Sequence, residues 1–256
     1  MPTSFSSYVA IGDSFTECVG DELPDGSVRG WADLVAVGLA LQSAAPVGYA
    51  NLAIRGKLLG PIIAQQLDAA LALRPALLSI NGGGNDIMRP RVSIDDVAEQ
   101  LLGAVDRAHD RGVTVLLVSG ANPSRQLPLG SLIEARGDRL SAAVRGMLPR
   151  EGVTYVDNWA DAALMHPRYW SRDRLHLGPL GHERVASNVL AALGIFPPVA
   201  RVPNEPDSVP ERQRTAEYWR EYVFPWIGRR LTGRSSGDNR SPKSATLQPV
   251  EPPRPV

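Results

Sequence analysis

The chain has 256 residues, with 27 basic and 27 acidic side chains, 43% hydrophobic content and a single cysteine. Those values exclude global disorder, an intrachain disulfide and any electrostatic case for a nucleic-acid partner. Two lysines, Lys57 and Lys243, stand against 25 arginines, a bias that fits a GC-rich bacterial origin.

Residues 1–7 carry neither a basic region nor a long apolar one, and no apolar run approaches the roughly 18 residues of a membrane span. A cytoplasmic protein without stable membrane insertion is expected. Residues 8–11 (Tyr-Val-Ala-Ile) read as a first strand, 31–41 as a helix and 47–52 as a second strand. A helix over 61–73 starts at a proline, which suits a first turn. Residues 76–80 form a buried strand stopped by Gly82-Gly83-Gly84. Over 94–111 the residues Ile94, Val97, Ala98, Leu101, Leu102 and Val105 share one helical face, and Gly112 ends it. A strand at 113–118, a helix at 132–148, a strand at 153–156 and a helix at 179–193 complete the pattern.

Five strands alternating with helices predict a parallel sheet covered on both faces. Right-handed crossovers make this a three-layer, flavodoxin-like α/β sandwich over residues 1–197. Residues 198–231 are expected to be a proline-rich linker followed by an amphipathic helix that packs back on the domain. Its stripe is Trp219, Tyr222, Val223, Trp226 and Ile227, interrupted by Pro225. Residues 232–256 read as a disordered tail.

The chemistry-bearing residues fall at strand ends. Ser14 follows Gly12 and Asp13 directly after the first strand, at the carboxyl edge of the sheet. A serine there is either a nucleophile or the cap of the next helix. A nucleophilic serine needs a base that is itself oriented. Of four histidines, His109 sits at the polar end of a helix and His166 in a loop before Pro167. His176 lies three residues after Asp173, close enough for the carboxylate to accept from Nδ1.

Gly56 and Asn85, after the second and third strands, are candidate oxyanion donors, with turn glycine and capping asparagine as the ordinary readings. His182-Glu183 opens a zinc-site pattern, but Ala186 stands where the second ligand belongs, so no metal is expected. The chain has no nucleophile-elbow, dinucleotide or phosphate-loop motif. Asp86 is read as a brace for the Asn85 loop. Trp31 and residues 166–170 are candidate pocket walls, with core packing as the alternative.

With Gly12-Asp13-Ser14, Gly56, Gly83-Gly84-Asn85-Asp86 and Asp173–His176 in this order, the chain resembles the SGNH hydrolases, or GDSL esterase/lipase family, over roughly residues 7–194. Phe15 replaces the leucine usual after Gly-Asp-Ser, and the Gly56 block is the loosest match. The resemblance implies Ser14 as nucleophile, His176 as general base and acid, and Asp173 as its orienting carboxylate. It implies an oxyanion hole of Ser14 N–H, Gly56 N–H and the Asn85 amide. No cofactor is implied. The expected partner is a small-molecule ester, and the absence of a long apolar lid favours short-acyl esters such as acetylated carbohydrates. An acyltransferase, a lysophospholipase or lipase, and a non-catalytic carbohydrate-binding relative are the alternatives. The sequence carries no signal of oligomeric state.

Overall fold

The computed structural model describes residues 4–127, 129–196, 217, 220, 221 and 236–252. Its centre is a six-stranded sheet in the order β5-β4-β3-β1-β2-β6. The strands are β1 (Ser7–Ile11), β2 (Val47–Asn51), β3 (Leu77–Ile80), β4 (Thr114–Val118), β5 (Val153–Val156) and β6 (Ser244–Val250). The first five run parallel, and β6 joins β2 antiparallel. The parallel part has the doubly wound order 2-1-3-4-5, in which sites form outside the carboxyl ends of the strands.

The apolar runs of β1, β3 and β4 are almost wholly buried, as strands covered on both faces must be. Their period of two divides the core. Tyr8 and Ala10 face α2 (Trp31–Ser43) and α8 (Pro179–Ala192), packing with Val35, Leu39, Val185 and Val189. Val9 and Ile11 face α6 (Ile94–His109) and α7 (Gly130–Gly146), packing with Leu101, Leu102, Val105 and Val144. The apolar face predicted for α6 is buried along its whole length, and the Ser93 hydroxyl caps it by accepting from Asp96 N–H at 3.3 Å.

Two short helices begin where strands stop, α1 (Ser14–Glu17) after β1 and α5 (Gly84–Ile87) after β3. The helix expected from residue 61 starts two residues earlier. It runs as α3 (Leu59–Ile62), a π-helical turn over Ile63–Leu67 and α4 (Asp68–Ala72). Among the described residues, no helix is long and apolar enough to cross a membrane.

The tail corrects the sequence reading. The segment expected to be disordered from residue 232 contains β6, so the sheet has six strands and not five. Most β6 side chains are half-buried or exposed, so no apolar period announces the strand. Pro249 sits on this outermost strand, where a missing N–H is tolerated. What holds β6 is backbone pairing to the edge of β2, from Val47 opposite Val250 to Asn51 opposite Ser244. The amphipathic stripe from Trp219 to Ile227 lies outside the described residues.

Candidate active site

The turn after β1 is held from several sides. Asp13 caps α1, its Oδ1 accepting from Phe15 N–H at 3.1 Å. Gln66 grips the Gly12 backbone twice, Oε1 accepting from its N–H at 2.8 Å and Nε2 donating to its carbonyl at 3.0 Å. Trp31 Nε1 donates to the Phe15 carbonyl at 3.0 Å, and Asn51 Nδ2 to the Thr16 carbonyl at 2.8 Å. Ser14 therefore sits half-buried on a turn with little freedom to move. Gln66 went unrecognised in the sequence because only the π-helical turn that carries it aims this amide inward.

Asp173 and His176 share one loop before α8. Asp173 Oδ1 accepts from the backbone N–H groups of Leu175 and His176 at 3.0 and 2.9 Å, and from the Ser171 hydroxyl at 2.7 Å. Its Oδ2 lies 2.5 Å from His176 Nδ1. Burial alone raises a carboxyl pKa. Here the charge of His176 and these hydrogen bonds outweigh burial and hold Asp173 well below the usual carboxylate range. With Nδ1 engaged by the carboxylate, Nε2 is the ring nitrogen left to exchange a proton.

Asn85 lies in α5, at the end of β3. Its Nδ2 donates to Asp13 Oδ2 and to the Lys57 carbonyl, both at 3.0 Å, which joins the loops after β1, β2 and β3. Asp86 Oδ2 accepts from Leu59 N–H at 3.0 Å, bracing the same loop against α3. Gly56 turns with φ +74°, a left-handed conformation that favours glycine. Burial pushes the Asp13 carboxyl up to about 6, against the lowering effect of the Phe15 hydrogen bond and the His176 charge.

Ser14, Gly56, Asn85 and His176 line one cavity of about 190 Å³. Asp173 stands behind His176. The cavity continues against an apolar wall that includes Ile133, Leu140, Val144 and Trp159. Trp170 lines it too, as one of the two expected aromatic sources. Trp31 does not. It is fully buried between α1 and α8, so core packing describes it. Tyr169 is buried under the Arg168 guanidinium, which lies 4.8 Å from its ring centroid. His109 and His166 are exposed. His182 is buried, with Nδ1 3.3 Å from the Trp31 N–H and Nε2 3.3 Å from the Val19 carbonyl. Its ring nitrogens join α8 to the start of α2 and to the turn after α1. Among the described residues, no cluster of three His, Cys, Asp or Glu is placed to hold a metal ion.

Comparison with known proteins agrees with this fold. The sequence model of the GDSL-like Lipase/Acylhydrolase family matches residues 10–184. A lipase from a goat rumen metagenome superposes with a TM-score of 0.63 at 18% identity, covering 73% of this chain and 96% of its own. A catalytic mutant of Axe2, an acetylxylan esterase from Geobacillus stearothermophilus, gives 0.62 at 18% identity, covering 77% and 98%. TesA gives 0.58 at 26% identity, covering 73% and 97%. No curated protein matches the sequence.

Proposed function

The chain belongs to the GDSL-like lipase/acylhydrolase family, and on that premise we propose that it hydrolyses short-acyl carboxylic esters through an acyl-serine intermediate. The observation that carries this reading is the Asp173–His176 pair at 2.5 Å, with His176 opening into the same cavity as Ser14, Gly56 and Asn85. In this reading Ser14 Oγ attacks the ester carbonyl while His176 Nε2 takes its proton. The carbonyl oxygen becomes an oxyanion that accepts from Ser14 N–H, Gly56 N–H and the Asn85 amide, donors worth about 3–4 kcal/mol each when well placed. Collapse of the tetrahedral species breaks the carbon–oxygen bond to the alcohol, which leaves with the proton from His176. Water, deprotonated by the same imidazole, then releases the acid and restores Ser14.

Asp173 keeps its negative charge throughout and stabilises the imidazolium that forms twice in the cycle. Both hydrogens of Asn85 Nδ2 already have acceptors, so the amide meets the oxyanion by sharing or exchanging its bond to Lys57. The acyl size follows from space. A cavity of about 190 Å³ is little larger than the ~150 Å³ that holds benzene, which suits acyl groups of a few carbons. The acetylxylan esterase in the comparison is consistent with this choice and does not decide it.

The test is a p-nitrophenyl ester series from acetate to palmitate, with Ser14→Ala alongside and mass spectrometry after a fluorophosphonate probe. A probe adduct on Ser14 and a rate that falls with acyl length are expected. A folded Ser14→Ala enzyme within about 100-fold of wild type contradicts the acyl-serine route. A preference for palmitate contradicts the acyl size.

A further inference from the structure

Residues 236–252 lie outside the family match, which ends at residue 184. The solved relatives are covered almost end to end while 73–77% of this chain is used. Yet Ser236 lines the same cavity as Ser14 and Gly56. Gly237 is buried against the turn just before Gly56: a Cβ there would stand 2.1 Å from the Arg55 carbonyl oxygen and 2.7 Å from Ile54 Cγ2. Three anchors follow. Arg240 Nε lies 3.6 Å from Glu17 Oε1, the oxygen that also pairs with the Arg55 guanidinium at 2.6 Å. Lys243 Nζ lies 2.8 Å from both Asp33 carboxylate oxygens and donates to the Val28 carbonyl. β6 then zips onto β2.

The strand order sets which end of the cavity this strap closes. Along the carboxyl edge, the loops run from Trp159 after β5, past residues 119–123 after β4 and Asn85 after β3, to Ser14 after β1 and Gly56 after β2. The strap enters β6 beyond Gly56. Ser14 therefore stands between an apolar end, walled by Ile133, Val144 and Trp159, and a polar end closed by Ser236, behind which Gly237 packs on the Arg55 carbonyl. An ester carbonyl at Ser14 sends its two arms in opposite directions, and the apolar arm belongs in the apolar end. We propose that residues 236–243 form a strap that walls the alcohol side of the cleft and selects esters with small alcohol groups.

This inference rests on the esterase reading, and the experiment separates the two. Gly237→Leu forces the strap off the Arg55 carbonyl, and Lys243→Met removes an anchor distant from the cavity. Both are assayed on acetate esters of small and bulky alcohols, and on acetate and butyrate esters of one alcohol. Release of the strap is expected to raise kcat/KM for bulky relative to small alcohols about tenfold in Gly237→Leu, in keeping with steric discrimination in a pocket. Lys243→Met should move the ratio in the same direction by less, while the butyrate-to-acetate ratio stays put. Circular dichroism and thermal unfolding accompany each variant, and Lys243→Met stands in if Gly237→Leu does not fold. A folded variant with an unchanged alcohol ratio overturns the strap, as does one in which the acyl ratio moves instead. If wild type hydrolyses none of the esters, it is the esterase reading that fails.

Discussion

Asp13 Oδ2 accepts the Asn85 side-chain amide at 3.0 Å, which ties the turn carrying Ser14 to the loop after β3. The same amide reaches the Lys57 carbonyl, so one asparagine sets the spacing of three strand-end loops. An amide held at this spot has only to share or give up its bond to Lys57 when charge develops, which keeps its reorganisation small. Replacing Asn85 by Ala is expected to lower kcat by about 10²–10³. Asp13→Asn keeps the cap on Phe15 N–H but turns a carboxylate acceptor into a group that competes as a donor. It should lower kcat by about 10² with little change in KM. Because Asp13 acts through Asn85, the double variant should fall no further than Asn85→Ala alone. Additive losses in steady-state kinetics would show that Asp13 has a separate role.

The Asp173 carboxylate matters for the tautomer of His176 as much as for its charge. Asp173→Asn leaves a neighbour of the same shape but stabilises the ring with its proton on the wrong nitrogen. A fall in kcat of about 10⁴ is expected, with the fold intact by circular dichroism. Stability follows the other face of the same interaction. A carboxyl held low in the folded state contributes stability above its unfolded value of 3.8, and loses it as pH falls below that value. Wild type and Asp173→Asn should therefore converge in unfolding free energy under strong acid.

Much of this arrangement was legible in the sequence because it is local. A strand buried on both faces writes its own apolar run, as residues 8–11 and 76–80 do, and α6 writes its face in residues 94 to 105. The motif residues Ser14, Gly56, Asn85 and His176 come together because parallel topology places successive strand ends along one edge. The parts that escaped are non-local. β6 is held by backbone pairing and by Lys243 reaching Asp33 across 210 positions, and neither leaves a period in the sequence. Gln66 reads as an ordinary helical amide until the π-helical turn rotates it inward. Trp31 read equally as pocket wall or core, and only the course of α1 over its indole N–H decides for the core.

Two buried groups titrate in opposite senses over nearly the same pH range. Burial drives the His182 pKa from 6.5 down to about 4, with the Val19 hydrogen bond opposing. The unfolded chain then binds more protons between those values, so stability is full above 6.5 and lost as pH falls toward 4, by roughly 3 kcal/mol. Asp13, pushed from 3.8 up to about 6, does the reverse: the folded state binds more protons, and stability is gained as pH falls through 6. The two slopes offset each other in wild type. His182→Gln should be less stable than wild type at pH 7, and Asp13→Asn should lose stability more steeply than wild type between pH 6 and 4. Thermal melts across pH 4–7 measure both, and parallel curves for all three proteins would contradict the assignment.

Gln66 offers the sharpest separation of positioning from chemistry. Its side chain bonds both backbone groups of Gly12, two residues before Ser14, and does not itself line the cavity. Gln66→Leu leaves the buried Gly12 N–H without a partner, at about 1–3 kcal/mol, while the Gly12 carbonyl keeps its bond from Ile54 N–H. Gln66→Glu keeps an acceptor for the Gly12 N–H and, when its buried carboxyl is protonated, a donor to the carbonyl as well, so it should cost less than Gln66→Leu. If the grip on Gly12 fixes where Ser14 stands, kcat should follow the same order, Gln66→Leu below Gln66→Glu below wild type, with KM held. Urea unfolding gives the stabilities, and esterase kinetics under conditions where each variant is fully folded gives the rates. A Gln66→Leu enzyme that is destabilised as expected but turns over at the wild-type rate would show that the turn after β1 holds Ser14 without it.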